Sequence, residues 1–140
     1  MNTEIFSQVN WLAVLAAAVA YFALGAIWYS KPVFGSKWAQ GHGINMNDPA
    51  ARKGAGQVMM LSFVAFVVIC IALAFLVVRI NLSGLMSGVK LGVITGGGFS
   101  WMTICISYLY TKKPMSLHLI DGIYHVAGQI IAAIILCMWR

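Results

Sequence analysis

Acidic residues are almost absent from this chain: Glu4, Asp48 and Asp121 are the only three in 140 residues, against nine lysines and arginines. That scarcity leaves little for acid–base catalysis, since paired carboxylates need two acids in one place and two of these three fall at a helix end or in a loop. No Ser-His-Asp order, paired-cysteine motif or His-Glu-x-x-His run occurs, so no enzyme is expected. Cysteine is also sparse. Cys70, Cys105 and Cys137 are odd in number and all lie in apolar stretches, where they read as free, buried thiols rather than a disulfide framework.

Charge of either sign is scarce as well. With 9% of residues charged and 61% apolar, 140 residues cannot hide so much hydrocarbon inside a soluble domain. The chain reads as an all-α polytopic membrane protein. A bilayer core about 30 Å thick takes about 20 apolar residues per helix, and four windows satisfy it, roughly 10–29, 57–78, 87–110 and 116–139. They fill most of residues 1–140 as a single four-helix domain. The first window has small residues that a signal peptidase could accept, but its flank MNTEIFSQVN carries only Glu4 and its apolar run continues to Trp28 and Tyr29, so cleavage is not expected.

The basic residues set an expected orientation. Lys31, Lys37, Arg52, Lys53, Lys112 and Lys113 flank the first and third connections, whereas only Arg79, Lys90 and Arg140 fall on the other side. The positive-inside rule then puts loop 30–56 in the cytoplasm and both termini outside. These charges are dispersed at helix ends rather than gathered on one face, which argues for lipid headgroups as the partner and against nucleic acid.

In the first connection, YSKPVFGSKW suits a segment lying in the interface, with Trp28, Tyr29, Phe34 and Trp38 as anchors at headgroup level. Asp48 before Pro49 reads as an N-cap and first-turn pair. His42, between two glycines, reads as mobile and solvated. No second ligand stands at metal spacing beside it, and neither metal nor cofactor is expected.

The third window carries Gly84, Gly88, Gly92 and Gly96 at every fourth residue, with Ser100 extending the row. One face is almost bare backbone, and another helix is expected against it, because helices in lipid associate by close packing. The partner helix can belong to the same chain or to a second copy. A homodimer is expected, since four short spans bury little of their own surface.

The fourth window opens on SLHLIDGIYHVAGQ. His118, Asp121, His125 and Gln129 are three, four and four residues apart and share one helical stripe, with Tyr124 beside it. Asp121 lies about 8 Å and His125 about 14 Å past the helix start, a depth at which ionisable groups pair or meet water. Two readings fit. In one, Asp121 and His125 share an i to i+4 hydrogen bond while Tyr124 and Gln129 bond across helices as packing glue. In the other, a buried carboxyl beside an imidazole forms a proton or cation site. Metal or haem ligation by His118 and His125 is weaker, because they sit about 10 Å apart along the axis. The functional expectation is a small transporter-like or proton/cation-responsive membrane protein, its small-molecule or ion ligand open; the alternative is a structural or assembly subunit of a larger membrane complex.

Three blocks carry a resemblance: NWLAVL at 10–15, GAIWYSKPVFGSKW at 25–38 and LIDGIYHVAGQIIAAIILCMW at 119–139. With Gly25, Trp28, Tyr29, Phe34, Gly35 and Trp38 in the first connection and Tyr124, His125 and Trp139 in the last helix, the chain resembles a family of small bacterial four-helix membrane proteins named domain of unknown function 1761. The proline of that block stands one position late, at Pro32. The resemblance implies four membrane helices and a bacterial inner-membrane location. It supplies no substrate, cofactor or catalytic residue.

Overall fold

The computed structural model describes residues 3–140; Met1 and Asn2, which begin the N-terminal flank read above, lie outside them. All regular structure among the described residues is helical, with no strand among them. A short α1 (Glu4–Gln8) leads into α2 (Trp11–Trp28), whose start is capped by Asn10 accepting from the Ala13 N–H. A π-helical turn (Lys31–Gly35) and α3 (Ser36–Gly41) follow. Then come a 3-10 turn (Pro49–Arg52) and α4 (Ala55–Arg79). A third rod runs unbroken as α5 (Leu85–Val93), a π-helical segment (Ile94–Trp101) and α6 (Met102–Tyr110), and α7 (Met115–Met138) closes the chain.

Four of these helices are long and apolar enough to cross a membrane: Trp11–Trp28, Pro49–Arg79, Leu85–Tyr110 and Met115–Met138. They are called here the first to fourth spans. Asp48 caps the second as its sequence suggests, accepting from the Ala50 N–H at 2.9 Å, before the helix proper begins at Ala55.

The fourth span is the central helix. Half of its apolar window is buried, against 22–28% for the other three, so it is the one that the others surround. Ala13, Ala17 and Ala18 of the first span are fully buried, and their small side chains let that helix approach α7 and α4 closely. Cys70 and Cys137 are buried free thiols in the same core, and Cys105 is half-buried.

The glycine row finds its partner inside the chain. A Cβ at Gly88 would stand 2.6 Å from the Ile134 Cα, and one at Gly96 2.7 Å from the Val126 Cα; at Gly92 it would meet the Ile130 backbone closer still. The third and fourth spans therefore run antiparallel with backbone against backbone, which leaves Gly88, Gly92 and Gly96 no surface for a second copy.

The two ends of the row depart from the sequence reading. Gly84 packs against nothing. It precedes α5 with φ +84°, a conformation that suits glycine, and its N–H donates to the Cys137 carbonyl. At the other end, the π-helical segment inserts an extra residue into the turn. The next position facing α7 after Gly96 is consequently Trp101, whose indole fills the space left by Gly122. Ser100 is displaced from the row and becomes a hydrogen-bond acceptor instead.

Candidate functional site

Asp121 is the chemical centre of the fourth span, a carboxyl only 6% exposed. The Tyr29 hydroxyl, just beyond the first span, donates to Oδ1 at 2.5 Å, and the Tyr108 hydroxyl, near the end of the third, donates to Oδ2. One carboxyl thus ties together three spans. The expected i to i+4 bond between Asp121 and His125 does not form, because both carboxyl oxygens already face phenols from other helices.

His125 turns to the first span instead, its Nδ1 lying 2.6 Å from the Tyr21 hydroxyl. Tyr21 is fully buried, its ring over the position where Gly128 lacks a side chain. Tyr124 donates to the Tyr21 carbonyl at 3.2 Å, and Gly25 clears space for its hydroxyl. Gln129 donates through Nε2 to Ser100 Oγ at 2.5 Å. Tyr124 and Gln129 therefore bond across helices, as the packing reading expects. Replacing Gln129 by methionine removes one such bond from helices already held backbone to backbone, and it should cost only about 1 kcal/mol in a melting experiment in detergent.

The aromatic residues read as headgroup anchors point inward. Trp28 Nε1 donates to the Ile120 carbonyl at 3.1 Å, and Tyr29 is occupied by Asp121. Phe34 packs on Trp28 with ring centres 4.8 Å apart, and Trp38 meets Tyr29 edge-on at 5.8 Å. The loop after the first span is thereby folded over the Asp121 end of the bundle. Gly41 continues that contact, since a Cβ there would strike Leu117.

His42 is not a solvated loop residue. Its ring lies 4.5 Å from Trp38 and 6.0 Å from Tyr108, and its Nε2 is buried without a hydrogen-bond partner. Buried His118 approaches Tyr108 at 5.5 Å. The two imidazoles thus flank the ring whose hydroxyl holds Asp121. Among the described residues no group of three histidines, cysteines or carboxylates could hold a metal ion, so His118 and His125 are not brought into a ligand set.

Residues of the two blocks 25–38 and 119–139 meet in this arrangement. Gly25, Trp28 and Tyr29 meet α7 at Ile120, Asp121 and Tyr124, while Gly35 sits where a Cβ would overlap the Tyr29 and Ser30 carbonyls. The family model described as Protein of unknown function (DUF1761) matches residues 12–137, nearly the whole chain. The chain belongs to the DUF1761 family. No curated protein and no solved structure matches it.

Three members of the site lay outside the sequence reading of this DUF1761 chain: Tyr21, Tyr108 and, as an Asp121 partner, Tyr29. A signal existed for two of them. Tyr21, Gly25, Trp28 and Tyr29 fall at helical spacing on one face of the first span, and Tyr21 carries the only hydroxyl between Asn10 and Trp28. Tyr108 had no such signal.

Proposed function

We propose that this DUF1761 protein is a proton-responsive membrane protein in which Asp121 is the responding group. The observation that carries the reading is a buried carboxyl held by phenols from two other spans, with no ion pair to it among the described residues. Ionisable groups at such positions are costly and mark functional sites by default. As a carboxylate, Asp121 accepts from both tyrosines. Once protonated, the oxygen that carries the proton becomes a donor and a poorer acceptor, so the hydrogen bond from the phenol on that oxygen weakens or reverses while the other phenol still donates to the carbonyl oxygen. A single proton therefore changes the link between the first, third and fourth spans.

The groups facing this event are Tyr29 from the first span, Tyr108 from the third, His118 and His125 from the fourth, and His42 across the Tyr108 ring. A cleft of about 320 Å³ between the first and second spans reaches Tyr29 and Tyr124, but no charged side chain lines it. A response within the bundle therefore suits the site better than a conducting path, and transport is the narrower form of the proposal.

The rival reading, a subunit that stabilises a larger complex, draws on the bonds that Tyr124, His125 and Gln129 make to other spans of the same chain. Hydrogen–deuterium exchange of residues 30–48 separates the two. In the proton-responsive reading, protection of this loop changes with pH beyond the intrinsic exchange rate, and Asp121→Asn abolishes the change while the protein stays folded. Equal pH profiles in both proteins would leave Asp121 with packing alone.

A further inference from the structure

A separate pocket of about 370 Å³ lies where the first connection folds back on itself, in contact with Lys31, Ser36, Gln40, Asn45 and Asn47. We infer that this pocket binds a phosphate-bearing anion. The inference is independent of Asp121, which lines no part of it.

Its lining has one sign of charge: Lys31, Ser36, Gln40, Asn45 and Asn47 supply the polar residues beside Ala39, Ile44 and Met46, and no carboxylate is among them. Asp48, close by in sequence, is turned away to cap the Ala50 N–H. A phosphate group presents several strong acceptor oxygens, which suit a lysine point charge supplemented by amide donors. Asn45 accepts the Asn47 N–H through Oδ1 at 3.0 Å, which leaves its amide nitrogen free to donate.

The walls are also fixed in advance. The Ile44 N–H donates to the Ala39 carbonyl at 2.9 Å, and the Gly43 N–H donates to the Gln40 carbonyl at 3.1 Å. Gly43 makes the reversal in the left-handed region, φ +68°. The Asp48 N–H closes the loop on the Asn45 carbonyl at 3.1 Å. A pocket whose backbone is already ordered has less conformational entropy to lose when an anion binds. Its position agrees with the chemistry. Lys31 stands three residues beyond Trp28, the last residue of the first span, where phospholipid phosphates gather. A headgroup phosphate and a free phosphate present the same oxygens, and the experiment tells them apart.

Full-length protein in uncharged detergent is titrated with dioleoyl phosphatidylglycerol, followed by native mass spectrometry, and with inorganic phosphate, followed by thermal shift at constant ionic strength. Lys31→Gln and Asn45→Ala alter the pocket, and Lys37→Gln removes the same charge from the same loop outside it. All three positions are exposed, so the fold should survive, and circular dichroism checks this. The expected result is binding weakened about tenfold by Lys31→Gln, the loss of one charge-assisted hydrogen bond, with Asn45→Ala also weaker and Lys37→Gln close to the parent. Response to the lipid alone identifies a headgroup, and a thermal shift with inorganic phosphate identifies the free anion. Equal weakening by Lys37→Gln and Lys31→Gln would overturn the inference in favour of the general field of the loop. So would the failure of both probes to bind.

Discussion

Gly92→Leu should abolish the folded bundle, lowering stability by about 4 kcal/mol or more, in the extreme range for a single substitution. The reason lies in what faces Gly92. A Cβ there meets the Ile130 and Gln129 backbone, which has no rotamer to change, so the third and fourth spans must separate along the register set by Gly88 and Gly96. Separation would also strip Gln129 from Ser100 and Trp101 from Gly122. The internal control is on the same rod. Gly97 and Gly98 have open space around a would-be Cβ, and alanine at either should stay within about 0.5 kcal/mol of the parent. Thermal unfolding in detergent reads both, with light scattering alongside. Because the row packs within the chain, Gly92→Leu should lose its melting transition without first changing mass. A well-folded Gly92→Leu protein with altered mass would instead place the row between copies.

The second large effect concerns Asp121→Leu, which leaves the Tyr29 and Tyr108 hydroxyls without an acceptor inside the bundle. Each unsatisfied donor inside the bundle costs about 1–3 kcal/mol, so the variant should lose about 2–6 kcal/mol. The loss comes from stranded partners rather than from a missing favourable charge, and this gives it a signature. Adding Tyr29→Phe and Tyr108→Phe removes the stranded hydroxyls, and the triple variant should recover at least half of the stability, since replacing a whole buried polar group by apolar residues is often neutral. A triple variant less stable than Asp121→Leu would mean that the tyrosines act through other contacts. If stability returns and the pH-dependent loop protection does not, packing and response have been separated in one protein.

The four spans were legible because hydrocarbon thickness forces long apolar runs, and the cap at Asp48 because it depends on adjacent residues. The stripe from His118 to Gln129 was legible as a shared face, since helical period alone defines it. What faces that stripe was not. Trp28 and Tyr29 are amphipathic, and the same chemistry serves a headgroup or a partner inside the bundle; only the antiparallel register reveals that Ile120 and Asp121 wait opposite. The i to i+4 geometry made Asp121 and His125 look like partners, but two phenols from distant segments took both carboxyl oxygens. His42 between glycines had the local signature of a mobile loop, and its burial against Trp38 and Tyr108 comes from the loop folding over the bundle end. The single-residue shift in the π-helical segment that exchanged Ser100 for Trp101 left no trace in the spacing of four.

The central claim is that Asp121 takes up a proton inside the folded bundle and that its two tyrosines sense it. Infrared difference spectroscopy between neutral and acidic pH tests this directly, because a protonated carboxyl has its own carbonyl stretch. A band is predicted that vanishes in Asp121→Asn and shifts in frequency in Tyr29→Phe and in Tyr108→Phe, each of which deletes one hydrogen bond to the carboxyl. A difference spectrum that Asp121→Asn leaves unchanged, throughout the pH range in which the protein stays folded, would contradict it.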